Sequence, residues 1–142
     1  MTEVHQVLAD LSPGDAISNH AIFLRDTLTA LGFESRIVVR NLNIRTLPFA
    51  KTFSPGDVPS RAALLYHHSI GSDLTAAAIA HSGSKALIYH NITPSEFYRP
   101  WDAKHAQLLE RGHMALHSLA AAFPVSSGVS EHNANDLLSA GF

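Results

Sequence analysis

Short apolar runs alternate with segments of helical period along the whole chain, and that alternation leaves few folds open to it. Val4 to Ala9 reads as a strand and LSPGD (11–15) as a turn. Ile17, Ala21, Leu24, Leu28 and Leu31 then recur at helical spacing, with Asp15 placed to cap the helix and Gly32 placed to end it. Four more strands are read over Arg36 to Val39, Ala62 to Tyr66, Lys85 to Tyr89 and Val125 to Val129. Helical stretches occupy roughly 73–81 and 102–122, and a last one starts at a Ser130 cap and stops at Gly141. The longest carries Leu108, Leu109, Gly112, Leu116, Leu119 and Phe123 on one stripe. Residues 41–60, with Pro48, Pro55 and Pro59, read as a long irregular connection, which in a compact domain is expected to be functional, mobile or partly structured. Strands separated by helices of this length pair in parallel through right-handed crossovers. The expected fold is therefore α/β, a Rossmann-like doubly wound parallel sheet, in one domain spanning 1–142.

Composition narrows the classes of function. With 46% apolar and 15% charged residues over 142 positions, the chain has the means to bury a core and does not have the composition of a disordered segment. A net charge of −2 gives no basic footprint, so no nucleic-acid partner is expected. The absence of cysteine excludes a disulfide scaffold and a thiolate zinc site. MTEVHQVLAD at the start has neither a basic nor an apolar leader segment, and no apolar run reaches membrane-spanning length. A soluble, intracellular chain is the expectation.

Two strands end in histidine: LLYHHSIGS (64–72) and KALIYHNITP (85–94). In a parallel sheet the loops after strands one, three, four and five share one rim, where ligands bind. His67, His68, His90, Asn91, the Gly14–Asp15 turn and Ser130–Glu131 are thus expected to converge, although a histidine at a strand end also serves as a plain structural partner, and a helix cap is the favoured reading of Asp15. Other chemistries fail on spacing. A dinucleotide fingerprint needs three glycines after the first strand and an acid after the second; here the turn holds Gly14, and strand two ends in Arg40 and Asn41. His113 and His117 stand one helical turn apart, but without the Glu of H-E-x-x-H and away from the apolar stripe, so they read as a solvated helix face. No metal site and no G-x-S-x-G nucleophile elbow are read.

The PGDAISNH turn (13–20), LLYHHSIGS, KALIYHNITPSEFYRP (85–100) and the final SEHNANDLLSAGF (130–142) together resemble the N-terminal domain of family 4 retaining glycosyltransferases, enzymes of GT-B type with two facing Rossmann-like domains. The resemblance covers essentially the whole chain, and IYHNITP is its most distinctive piece. It implies that His90 matches the family's catalytic-site histidine, which lies beside the transferred sugar. Gly14, Asp15, His67, His68 and Asn91 map to the substrate-binding, acceptor side. Phe97, Tyr98 and Trp101 are candidate stacking contacts for a sugar or aglycone, or else pack their loop onto the domain. The resemblance further implies no cofactor, a nucleotide-sugar donor and a carbohydrate or lipid-linked acceptor. Most of the donor site would belong to a C-terminal domain following Phe142, so residues 1–142 alone are expected to be inactive and prone to homo-oligomerise. A cytoplasmic location is expected, with peripheral membrane attachment left open because many members of the family modify lipids or polysaccharides. The alternative is a stand-alone Rossmann-like binding or interaction module without catalysis.

Overall fold

Alternation of strand and helix produces a six-stranded, all-parallel sheet in the computed structural model, which describes residues 2–142. The elements run β1 (Val4–Leu11), α1 (Ala16–Ala30), β2 (Ile37–Leu42), β3 (Lys51–Thr52), β4 (Ala63–His68), α2 (Leu74–Ala80), β5 (Lys85–Tyr89), α3 (Ala103–Ala122), β6 (Val125–Gly128) and α4 (Glu131–Ser139). The sheet order is β3-β2-β1-β4-β5-β6. From β1 the chain first steps outward to β2 and β3, then returns to the other side of β1 and steps outward again. Right-handed crossovers in opposite directions fall on opposite faces, so helices flank the sheet on both sides in the manner of a Rossmann-like doubly wound fold.

Period-two alternation sorts the strand side chains between these faces. Leu8, Ile37 and Val39 pack with Ala21 and Ile17 of α1, and Leu11 joins them at the end of β1, where the alternation breaks. Val7, Val38, Leu64, Tyr66, Leu87 and Tyr89 face the other way, onto Leu74 and Ala78 of α2, Leu109, Leu116 and Leu119 of α3 and Leu137 of α4. The start of α1 is fixed by Asp15, whose carboxylate accepts hydrogen bonds from the Ser18 amide at 2.9 Å and the Ser18 hydroxyl at 2.8 Å. Its end is fixed by Gly32 at φ +87°, a conformation that glycine adopts without strain. Among the described residues no helix is long and apolar enough to cross a membrane.

One expectation is refined and one is corrected. Residues 41–60 are partly structured, one of the forms expected of them: a 3-10 turn at Ile44–Thr46 leads into β3, which pairs with β2 through Val38–Lys51 and Val39–Thr52 and adds a sixth strand to the five read from the sequence. Two exposed polar residues at a sheet edge leave no apolar period to read. The third sequence-read strand also does not stop at Tyr66. It continues to His68, with His67 opposite Ile88 and His68 opposite Tyr89, so both histidines lie inside the ladder and point to opposite faces.

α3 seats on the turn after β4 by close backbone approach. The Gly71 amide donates to the Leu108 carbonyl at 2.9 Å, and His68 Nε2 donates to the Gly112 carbonyl at 2.8 Å. A methyl group on Gly112 would stand 2.9 Å from both the Gly71 nitrogen and Ile92 Cδ1. Alanine would gain about 1 kcal/mol of helix propensity over glycine, but overpacking of this kind costs about 1–3 kcal/mol. Gly112→Ala is therefore expected to lower the urea midpoint; a raised midpoint would mean that α3 can lift off the turn at no cost.

Candidate functional site

The connections leaving β1 and β4 depart to opposite faces, and a cleft of about 460 Å³ opens between them at the carboxyl ends of the strands. Asp10, Ser12 and Asp15 line it from the first connection, Ser69 from the second, and Asn91, Thr93 and His105 from beyond β5. Leu8, Ile17, Ile70 and Leu109 supply its apolar floor, and no lysine or arginine is among its lining residues. A second cavity, about 360 Å³, is walled by Phe53, Val58, Leu64 and Ala78 toward the amino ends of β4 and β5, away from that rim.

Beside the cleft a buried polar relay fixes the histidines. Gln6 in β1 donates from Nε2 to the Ala21 carbonyl of α1 at 3.0 Å, which orients its amide. Its Oε1 therefore accepts from His67 Nε2 at 2.9 Å. His67 thus carries its proton on Nε2 and presents a bare lone pair on Nδ1, which lies 3.0 Å from His90 Nε2. His90 donates to it from Nε2, so its own Nδ1 is an acceptor. The two rings lie nearly parallel, and His20 of α1 meets both edge-on. His20, His67 and His90 each offer one ring nitrogen, all within 4.8 Å of one another. Burial pushes the His67 imidazole down to about 3, with smaller contributions from His90 and His20. Burial and the neighbouring His20 push His90 down to about 4 against the opposing pull of the Asp15 carboxylate.

The expected rim residues separate into three groups. His67 and His90 meet, and Asp15 and Asn91 line the adjoining cleft. His68 does not join them: strand alternation turns it to the opposite face, fully buried on α3, and burial lowers its pKa there. Gly14 takes φ +80° in the exposed turn before α1, and Asp15 serves as the helix cap while also bordering the cleft. Ser130 caps α4 by accepting from the Asn133 amide. Phe97, Tyr98 and Trp101 are all exposed, and of the three Tyr98 also sets its ring 4.5 Å from that of His105 at the cleft margin. His113 and His117 lie on an exposed helix face and donate to the Ile92 and Ala140 carbonyls rather than to a shared ligand.

Sequence reasoning missed Gln6 and His20. His20 stands three residues after Ile17 and four before Leu24, half-buried on the inward stripe of α1, and a histidine at such a position was the available signal. Gln6 is a polar residue inside an apolar run. No protein-family model matches the chain, and no curated protein or solved structure matches it either.

Because His67 and His90 are harder to protonate folded than unfolded, the unfolded chain binds the extra protons as pH falls below the ordinary histidine value of about 6.5. Their contribution is whole above that pH and is lost on the way down toward about 4 and about 3. In buffer containing EDTA, the urea midpoint is expected to fall between about pH 7 and about pH 5, before carboxylate protonation sets in. His90→Asn should flatten that slope. An equally steep slope in the variant would place its origin elsewhere.

Proposed function

We propose that residues 1–142 form the acceptor-side domain of a glycosyltransferase that moves a sugar from a nucleotide-sugar donor to a carbohydrate or lipid-linked acceptor. The observation that carries this reading is the chemistry of the switch-point cleft: two carboxylates, hydroxyls and an amide over an apolar floor, without a cation. Sugar hydroxyls are hydrogen-bond donors that need acceptors to replace water, and the apolar floor suits a ring face. A diphosphate would meet Asp10 and Asp15 with no counter-charge, so its place is in a second domain, as the GT-B resemblance of IYHNITP implies. His90, held neutral with an accepting Nδ1, is suited to a hydroxyl of the transferred sugar where the two halves would face each other.

A stand-alone sugar-binding module is the second reading, favoured by the same lack of a phosphate-binding cation in the cleft. Both readings require sugar in the cleft, and titration of the labelled chain tests that requirement. Methyl glycosides at millimolar concentration are expected to shift the amide signals of Ser69, Asn91 and Thr93, while nucleoside diphosphates leave them in place. Asn91→Ala should weaken the best glycoside by roughly three- to tenfold, the worth of one or two neutral hydrogen bonds. Nucleoside diphosphate binding in the cleft, with no response to any glycoside, would overturn the acceptor-side assignment. Transfer activity in a chain carrying a donor domain, absent from residues 1–142 alone, would separate transferase from module.

A further inference from the structure

Three elements distant in sequence bring imidazoles to one point: α1 supplies His20, β4 supplies His67, and the residue after β5 supplies His90. We propose that these three histidines bind a single divalent transition-metal ion of the zinc class, completed by a solvent or substrate oxygen.

The donor set fits. Three neutral imidazoles with one open position is a recurrent arrangement for zinc, and nitrogen ligands of this type also take cobalt, nickel and copper. Zinc–nitrogen bonds of about 2.0–2.1 Å in tetrahedral geometry hold ligand atoms roughly 3.3 Å apart. His67 Nδ1 and His90 Nε2 already stand at 3.0 Å. His20 is half-buried on α1, and its ring nitrogen lies within 4.8 Å of those of the other two, a separation that rotation about its side-chain bonds can close.

The surroundings fit as well. Histidines that bind metals usually donate their other ring N–H to an oxygen, which fixes tautomer and ring plane. His67 does so before any metal arrives, through Gln6 Oε1, and Gln6 is itself fixed by the Ala21 carbonyl. The lone pair on His67 Nδ1 is thereby aimed at the site. The one proton in the way lies on His90 Nε2. Shifting it to His90 Nδ1 is a tautomer change within a neutral ring, so metal entry requires no net loss of a proton from the pair. His90 Nδ1 then changes from acceptor to donor. The ordinary competitor, a pair of histidines at helical spacing, is present at His113 and His117, but each ring is turned onto a backbone carbonyl, His113 Nε2 onto Ile92 and His117 Nδ1 onto Ala140, and the two do not form a converging group of three ligands among the described residues.

The test uses the full chain without a histidine tag. Competition with a chromophoric chelator is expected to show one equivalent of Zn²⁺ bound per chain. Co²⁺ in its place should give visible d–d absorption of four-coordinate intensity, and long-range nitrogen correlations should shift at His67 Nδ1 and His90 Nε2. His67→Ala leaves Gln6 Oε1 without its donor and so confounds binding with folding; the deciding variant is His20→Ala, checked for native dispersion by NMR. Loss of this ligand should weaken binding by at least the ~10–100-fold that loss of a supporting partner costs metal sites. A His113→Ala/His117→Ala chain should bind as the parent does. No one-equivalent binding, unchanged affinity in His20→Ala, or loss of binding in the His113→Ala/His117→Ala chain would each overturn the assignment, and none of these outcomes depends on sugar in the neighbouring cleft.

Discussion

The hydrogen-bond relay from the Ala21 carbonyl through Gln6 and His67 to His90 joins α1 to three parallel strands, and the functional end of the domain depends on it. A buried amide and two buried imidazoles are costly unless each polar atom finds a partner, because the low-dielectric interior magnifies an unpaired group. Here each link specifies the next. The α1 carbonyl decides which end of the Gln6 amide faces β4, that end decides the His67 tautomer, and the tautomer decides what His90 can offer to solvent. An apolar substitution at Gln6 could pack as well and would erase all of this information. The relay therefore contributes direction more than raw stability.

The same relay explains how far the site was legible. Strand and helix positions follow from period alone, and the Asp15 cap and the Gly32 stop are stated by single residues with one physical use each. His67 and His90 were legible as strand-end polar groups because parallel pairing sends all strand ends to one rim. His68 was misread because its strand continues two residues beyond the apolar run, and in a pleated ladder adjacent residues cannot share a face. β3 was invisible because an edge strand of two exposed residues buries nothing and so leaves no apolar signature. Gln6 and His20 are polar residues at positions where periodicity asks for apolar ones. Such conflicts between local character and global pattern mark functional or strained sites more often than errors in the pattern.

Topology also decides where the site can open. α2 and α3 lie on the face away from α1 because both are crossovers in the one direction, β4 to β5 and β5 to β6, and α4 packs onto the same face through Leu137. α1 covers β1 and β2 on its own face, and His20 reaches from it past β4 to the end of β5, where that cover ends. Beyond it Ile88 is only partly buried, and Val125 and Val129 of the outer strand region are exposed. The imidazole cluster therefore sits at the border between a packed core and an open sheet face, dry enough to keep the His67 and His90 rings neutral and close enough to water for an ion or a small polar ligand to arrive.

His90 is the residue on which these constraints meet. Its Nε2 meets His67, while its Nδ1 makes no hydrogen bond among the described residues, one atom for each side of the same ring. A residue placed in this way couples what happens on one side to what can bind on the other, because an imidazole has two nitrogens and, when neutral, one proton. With His67 as partner, Nδ1 accepts, which suits a hydroxyl donor. With a metal ion as partner, Nδ1 donates, which suits a carbonyl, an ether or a carboxylate. The coupling needs no movement of the backbone. It follows from the Gln6 amide at the far end of the relay, which keeps His67 Nδ1 free of a proton and so leaves the proton of His90 as the only one that can move.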